Sequence, residues 1–330
     1  MNPWRIISHM TQAHRWTADD IPDQTGRTVI VTGANSGLGL ATTEQLARRG
    51  ARVVMAVRDP GKGGQARAGL TGRGVPGANL EVRTLDLADL ESVRAFAEEI
   101  RRTGPAPDVL INNAGVMFPP RRLSAQGHEL QFATNHLGHF ALTGLLLDLL
   151  RAGRDPRVVT VSSVVYEWGR IRFADPTGER RYSPVAYYAQ SKLANVLFGL
   201  ELHRRLDAAG ERVCSLLAHP GYAATNLQTA GPTGILRALS RLGNRIIAQD
   251  AATGALPQLY AATAPQARGG EFFGPDGLLG LRGHVTVLRP AAAGADPATA
   301  RRLWELSERL SGVRFDLPDP TTTTHPSDRG

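Results

Sequence analysis

In AYYAQSKLAN, residues 186–195, two adjacent tyrosines precede a lysine. On a helix, residues four apart share a face and residues five apart do not. Tyr188 lies four before Lys192 and Tyr187 five, so Tyr188 is the partner. A phenol titrates near ~10, too high to exchange protons efficiently at neutral pH. A neighbouring ammonium favours the phenolate and is expected to lower that value towards the range in which an acid/base catalyst works. A compact ammonium can also reach the ribose hydroxyls of a nucleotide, which a broad guanidinium fork does less well. Lysine occurs only twice in the chain, at Lys62 and Lys192, against 38 lysines and arginines together, so a lysine here calls for a reason. An isolated Tyr-x-x-x-Lys could still be chance on an amphipathic helix; its meaning depends on what stands around it.

A second constellation follows the first apolar run. In TGANSGLG, residues 32–39, Gly33, Gly37 and Gly39 stand between a β-branched segment and a helical one. Free N–H groups at a helix start, with no Cβ atoms in the way, form a site for a pyrophosphate. The spacing is GxxxGxG rather than the more familiar GxGxxG, and Asn35, Ser36 and Leu38 fall in the same loop. About twenty residues on, an acidic side chain would bond a ribose 2′-hydroxyl and repel a 2′-phosphate. The second strand here ends in MAVRDPGKG (55–63), which places Arg58 at that edge with Lys62 nearby. A guanidinium fork and an ammonium suit a phosphate, so NADP(H) is expected over NAD(H). Asp59, one position later, is expected to point away.

Elements that could position these groups alternate along the chain. Apolar runs at 27–33, 51–57, 80–87, 108–115, 157–163 and 212–221 are separated by helix-period segments such as 38–50 and 91–102. That alternation predicts an α/β fold, a parallel sheet covered by helices on both faces and doubly wound, with ligands at the carboxyl ends of the strands. No linker or repeat interrupts the series. The expected organisation is an N-terminal extension over 1–23, one catalytic domain over 24–313, and a polar tail over 314–330.

The motifs TGANSGLG, NNAG (112–115), VSS (161–163), YAQSK (188–192) and HPG (219–221) occur in this order. In that order the chain resembles the short-chain dehydrogenase/reductases. The wording NHLGHFALT (135–143), YAQSKLANVLF (188–198) and LWELSE (303–308) is similar to the branch of retinol dehydrogenases, protochlorophyllide reductases and their bacterial relatives, over roughly 24–310. The resemblance implies a single Rossmann-type domain with a seven-stranded parallel sheet, and nicotinamide-dependent interconversion of a carbonyl and an alcohol. It implies Tyr188 as proton donor or acceptor and Lys192 as the group that lowers its pKa and binds the nicotinamide ribose. It further implies Ser163 on the substrate oxygen, Ser162 facing the other way, and Asn135 beside a proton-relay water. The implied cofactor contacts are Asp86 and Leu87, then Asn113, Ala114 and Gly115, then Tyr188 with Lys192, then Pro220, Gly221 and Thr225. Residues 222–250 would be a flap over the substrate. Ile235, Leu239, Leu242 and Ile246 form an apolar stripe at helical spacing that could cover an apolar substrate there, face the core as a plain helix, or leave the opposite arginines to a membrane surface. Ser163 and Tyr188 stand 25 positions apart, more than in compact members, so 166–186 must loop out and return near the site mouth.

The remaining features exclude more than they assign. A formal charge of +8 is spread without a basic block, so nucleic acid is not expected as a partner. No stretch has the eighteen or so apolar residues of a membrane span, and the N-terminus shows no signal-peptide core. The single cysteine, Cys214, fits a reducing, cytoplasmic setting. His136 and His139 lack a chelating acidic or cysteine partner nearby, so no metal is expected. His219 could line the pocket or make a structural hydrogen bond. The apolar segment 140–150 could pack against a second copy in a homodimer or be covered within the chain. A nucleotide-sugar epimerase or dehydratase, and a non-catalytic NADP-sensing regulator, stay open as rivals to the enzyme reading.

Overall fold

The computed structural model describes residues 15–221, 250–277 and 280–320. The strands are β1 (Thr28–Thr32), β2 (Arg52–Val57), β3 (Leu80–Thr84), β4 (Val109–Asn112), β5 (Arg157–Val161), β6 (Cys214–Ala218), β7 (Phe272–Pro275) and β8 (Val285–Leu288). They form one sheet in the order β3-β2-β1-β4-β5-β6-β7-β8. All pairs are parallel except β7 with β8. The sheet therefore has eight strands where seven parallel ones were expected. A parallel partner needs a crossover of a dozen or more residues. Between Pro275 and Val285 the chain instead turns back on itself, with Gly280 and Gly283 at positive φ and the Asp276 N–H bonded to the His284 carbonyl at 2.9 Å.

The helices are α1 (Gly37–Arg48), α2 (Pro60–Gly72), α3 (Leu90–Thr103), the single turn α4 (Leu130–Phe132), α5 (Gly138–Arg151), α6 (Pro184–Ala208), α7 (Ala251–Thr263), α8 (Ala292–Ala295) and α9 (Pro297–Ser311). A π-turn at Ala133–Leu137 joins α4 to α5. Strand alternation divides the core. Val29 and Val31 pack with Leu46 of α1 and Leu259 of α7, whereas Ile30 packs with Phe96 of α3, Phe140 of α5 and Phe198 of α6. Because both faces are covered, the strands read as unbroken apolar runs.

The apolar face of α5 is covered within the chain. Trp304 of α9 lies 5.1 Å from Phe140 edge-on, and Phe315 lies 4.9 Å from it. Gly144 leaves room for Val313 and Phe315, which a Cβ would crowd. Residues beyond both expected domain boundaries join the core: Trp16 and Ile21 before it, Phe315 after it. Among the described residues no helix is long and apolar enough to cross a membrane.

Candidate active site

The sheet reverses its strand order between β1 and β4, and the two motif groups meet at that edge. Gly33 (φ +67) and Gly37 (φ +53) take the left-handed conformation that a side chain would strain. Gly39 answers a different demand, since a Cβ there would run into the Gly33 carbonyl and the Asn113 amide. Asn113 ties the loop down by donating to the Thr32 carbonyl at 2.8 Å, while the Thr32 hydroxyl accepts from the N–H groups of Asn113 and Ala114, both at 2.9 Å. Ser36 caps α1 without a side-chain bond, so the first N–H groups of the helix keep their donors for a ligand. Leu38 turns its side chain into the core, leaving only backbone to a ligand. This cradle fits a pyrophosphate.

At the end of β2, Arg58 is exposed. Asp59 caps α2, accepting the Lys62 N–H at 3.1 Å, and Lys62 Nζ stands 3.9 Å from the same carboxylate. Asp86 uses one carboxylate oxygen to accept the Ala88 N–H at 2.9 Å and is otherwise half-buried. Leu87 is buried, and its carbonyl lies where a Cβ on Gly138 would be. Gly115 brings its backbone close to both Asn135 Oδ1 and Lys192 Nζ, 3.2 and 3.7 Å from the point a Cβ would occupy. Gly221 (φ +67) donates its N–H to His219 Nδ1 at 3.1 Å beside Pro220. Thr225 and the stripe Ile235, Leu239, Leu242 and Ile246 lie outside the described residues.

Alternation along β5 separates the two serines. Ser162 is buried and donates to the Lys192 carbonyl at 2.8 Å, fixing α6 against the strand. Ser163 leaves the strand in extended conformation, and its side chain stands close enough to the Tyr188 phenol to favour the ionised form. Ser183 and Pro184 start α6, the serine accepting the Ala186 N–H at 3.4 Å. Lys192 Nζ donates to the Val161 carbonyl at 3.4 Å and lies 5.7 Å from the centre of the Tyr188 ring. Asn135 sits in the π-turn, a distortion that recurs at functional sites. Its Nδ2 donates to Val116 O at 3.0 Å and Ser191 Oγ at 2.9 Å, and its Oδ1 accepts the Val116 N–H at 2.7 Å. Ser163, Tyr188, Lys192 and Asn135 are thus brought to one place.

The electrostatics correct one expectation: the net shift of the phenol in this arrangement is upward. Burial pushes Tyr188 up to about 12, with only the nearby Ser163 side chain opposing it. The same burial lowers Lys192 to about 8. At neutral pH the pair is a protonated phenol next to an ammonium that gives up its proton more readily than usual. The histidines are structural. His136 bonds Ser307 at 2.8 Å, and His139 bonds Thr32 at 2.9 Å and the Asn135 carbonyl at 3.0 Å. Burial lowers them to about 3 and about 4, and His219 to about 4. Among the described residues no grouping of three or more His, Cys, Asp or Glu could hold a metal ion.

Three features escaped the sequence reading. Phe118 holds a positive φ of 57, fixed by its N–H donating to Gln131 Oε1 at 3.0 Å, and stacks edge-on to Tyr188 at 5.2 Å. Tyr187 anchors the 166–186 insertion, donating to the Asp175 carbonyl at 2.7 Å and packing on Tyr182. Asn195 donates to the Val161 carbonyl at 3.0 Å, the oxygen that Lys192 also uses. Only Asn195 left a signal: it lies three residues after Lys192 and seven after Tyr188, on their helical stripe.

A doubly wound sheet with a glycine cradle at its switch point and a serine–tyrosine–lysine cluster on the neighbouring strand and helix defines a nucleotide-dependent oxidoreductase. The chain belongs to the short chain dehydrogenase family, whose model matches residues 27–233. It is 42% identical over 300 residues to retinol dehydrogenase 14 of Mus musculus, covering 87% of this chain and 86% of that protein. It is 41% identical over 301 residues to polyprenol dehydrogenase of Mus musculus, covering 89% of this chain and 86% of that one. A solved structure of an uncharacterized protein from Mycobacterium paratuberculosis is 46% identical and superimposes with a TM-score of 0.77, covering 92% of this chain and all of that one. The relatives support membership of the retinol dehydrogenase-like branch.

Proposed function

We propose that the protein is an NADP(H)-dependent oxidoreductase that interconverts a carbonyl and an alcohol on an apolar small molecule, with Tyr188 as general acid/base. The observation that carries this reading is the gathering of Ser163 and Lys192 around the Tyr188 phenol, which burial keeps protonated. In the reductive direction the carbonyl oxygen would accept from the Ser163 hydroxyl and the Tyr188 phenol. As negative charge builds on that oxygen, the phenol proton passes to it. Lys192, lowered to about 8, stabilises the phenolate left behind and stands close to resupply the proton. Asn135, held by three hydrogen bonds, keeps the Val116 backbone and Ser191 fixed next to that lysine. When bound, a nicotinamide supplies the hydride to the carbonyl carbon or takes it back.

The family uses nicotinamide cofactors. The preference for the phosphorylated form rests on Arg58, exposed at the end of β2 where a 2′-phosphate would lie, with Asp59 turned to cap α2. An apolar, isoprenoid-like substrate is favoured by the names of the two relatives and by Phe118 beside Tyr188. An epimerase is disfavoured by the GxxxGxG spacing of the glycine loop and by the two dehydrogenases among the relatives. A silent NADP sensor has no need of the serine–tyrosine–lysine cluster. A homodimer would have to use a face other than that of α5, and the single cysteine keeps a cytoplasmic setting in the reading. The test is a panel of carbonyls and alcohols read by nicotinamide absorbance with each cofactor. Turnover of apolar members with NADPH is expected; turnover of none, or preference for NADH, overturns the corresponding part.

A further inference from the structure

We propose that Asn195 is a positioning residue for Lys192: together with His136 it maintains a buried, hydrated polar pocket behind β5 that solvates the lysine and sets where its ammonium rests. The proposal rests on the reading of Lys192 given above and adds residues which that reading does not use.

Ser307 of α9 donates its single hydroxyl proton to the Leu303 carbonyl at 2.8 Å. Its oxygen also meets His136 Nε2 at 2.8 Å, and in the tautomer that satisfies both contacts at once that nitrogen carries the proton and donates. His136 Nδ1 is then a bare acceptor. The Asn195 amide is fixed in the same way, because Nδ2 donates to the Val161 carbonyl at 3.0 Å and Oδ1 therefore points elsewhere. Reversing the amide would set two acceptor oxygens against each other. Asn195 stands close enough to His136 to favour a proton on the ring, yet neither His136 Nδ1 nor Asn195 Oδ1 makes a hydrogen bond. Two acceptors cannot satisfy each other, but one water donating to both can.

The surroundings extend this pocket. Thr160, one residue before Val161, and its register partner Asn112 carry two more buried oxygens without a partner, Thr160 Oγ1 and Asn112 Oδ1. All four atoms belong to β4, β5, the π-turn and α6, the elements around Lys192. Asn195, His136, Thr160 and Asn112 are each at least 99% buried. Buried oxygens without partners are costly, and a group of them is a place where ordered water belongs. Lys192 reaches this pocket through the carbonyl it shares with Asn195. The titratable groups around the ammonium are Tyr188 on its own helix, His139 of α5 and, across Asn195, His136; burial keeps both rings neutral. Polar solvation from the pocket is therefore a main support for the charge on Lys192.

The chain's two lysines make the test direct. Nitrogen-15 lysine labelling of the full chain gives two Nζ resonances, assigned by comparison with Lys62→Arg, and each is titrated by NMR. Asn195→Leu, which keeps the side-chain volume and drains the pocket, is expected to lower the Lys192 titration by about one pH unit, a tenfold change in its ionisation. The acidic limb of the pH–rate profile should move with it. Asn195→Thr, which keeps a hydroxyl donor and acceptor, is expected to restore most of the shift. His136→Phe approaches the pocket from its other side and should lower Lys192 in the same direction. If Asn195→Leu does not fold, His136→Phe alone decides. A Lys192 titration that stays put or rises in folded Asn195→Leu or His136→Phe overturns the proposal. The titration needs no turnover, so an inert enzyme would count against the proposed reaction and not against this pocket.

Discussion

Replacing Lys192 by methionine removes an ammonium that the fold holds at a loss. The folded chain lowers Lys192 from 10.5 to about 8 through burial. At about 1.4 kcal/mol per pH unit the penalty comes to about 3 kcal/mol. The sign follows from the direction of the shift: the unfolded chain binds this proton more tightly, so the cost is complete below about pH 8 and fades as the pH rises towards 10.5. Methionine gives up the hydrogen bond to the Val161 carbonyl, worth about 1 kcal/mol, but Asn195 still donates to that oxygen at 3.0 Å. Lys192→Met should therefore stabilise the protein by about 2 kcal/mol at pH 7 and by well under 1 kcal/mol at pH 9.5. The same variant should lose turnover by about a hundredfold or more, a trade of function for stability. Urea unfolding of both proteins at the two pH values, alongside activity at pH 7, measures all of this. A variant destabilised at pH 7, or a gain independent of pH, would refute the reasoning.

Arg58→Glu should lower the NADPH-to-NADH ratio of kcat/KM by about tenfold or more, as expected for losing a charge-assisted contact; steady-state kinetics with both cofactors checks it. His136, His139 and His219 are held neutral, at about 3, 4 and 4. The unfolded chain takes up their protons below pH 6.5, so stability should fall with acid by up to about 4 kcal/mol per pH unit; unfolding followed by circular dichroism from pH 7 to 4 reads the slope. Trp304→Ala opens the cluster of Phe140, Phe198 and Phe315 and should cost about 3–5 kcal/mol in urea unfolding.

Much of this arrangement could be read from residue types because each reading depended on local geometry. The six runs expected as strands contain β1 to β6, since parallel strands buried on both faces are unbroken apolar stretches. Four-residue spacing picked Tyr188 over Tyr187, and the place of Ser163 in the family motif picked it over Ser162. What the sequence hid depends on distant partners. VTVL in β8 is too short, and too closely flanked by Gly283 and Pro290, to announce a strand or its direction. The covering of α5 by Trp304 and Phe315 joins residues more than 150 positions apart, and no spacing rule spans that distance. The rise of the Tyr188 pKa is an effect of burial, which the Tyr-x-x-x-Lys spacing does not encode. The left-handed Phe118 depends on Gln131, and its residue type gives no hint of the conformation.

The central claim is that Tyr188 moves the proton while the cofactor is held chiefly by other groups. Its most direct test pairs kcat/KM for the best panel substrate with NADPH affinity by fluorescence titration, in wild type and Tyr188→Phe. Loss of general acid catalysis predicts a fall in kcat/KM of about a hundredfold or more, with NADPH affinity within about threefold. A phenylalanine variant that binds NADPH and turns over at the wild-type rate would contradict the account.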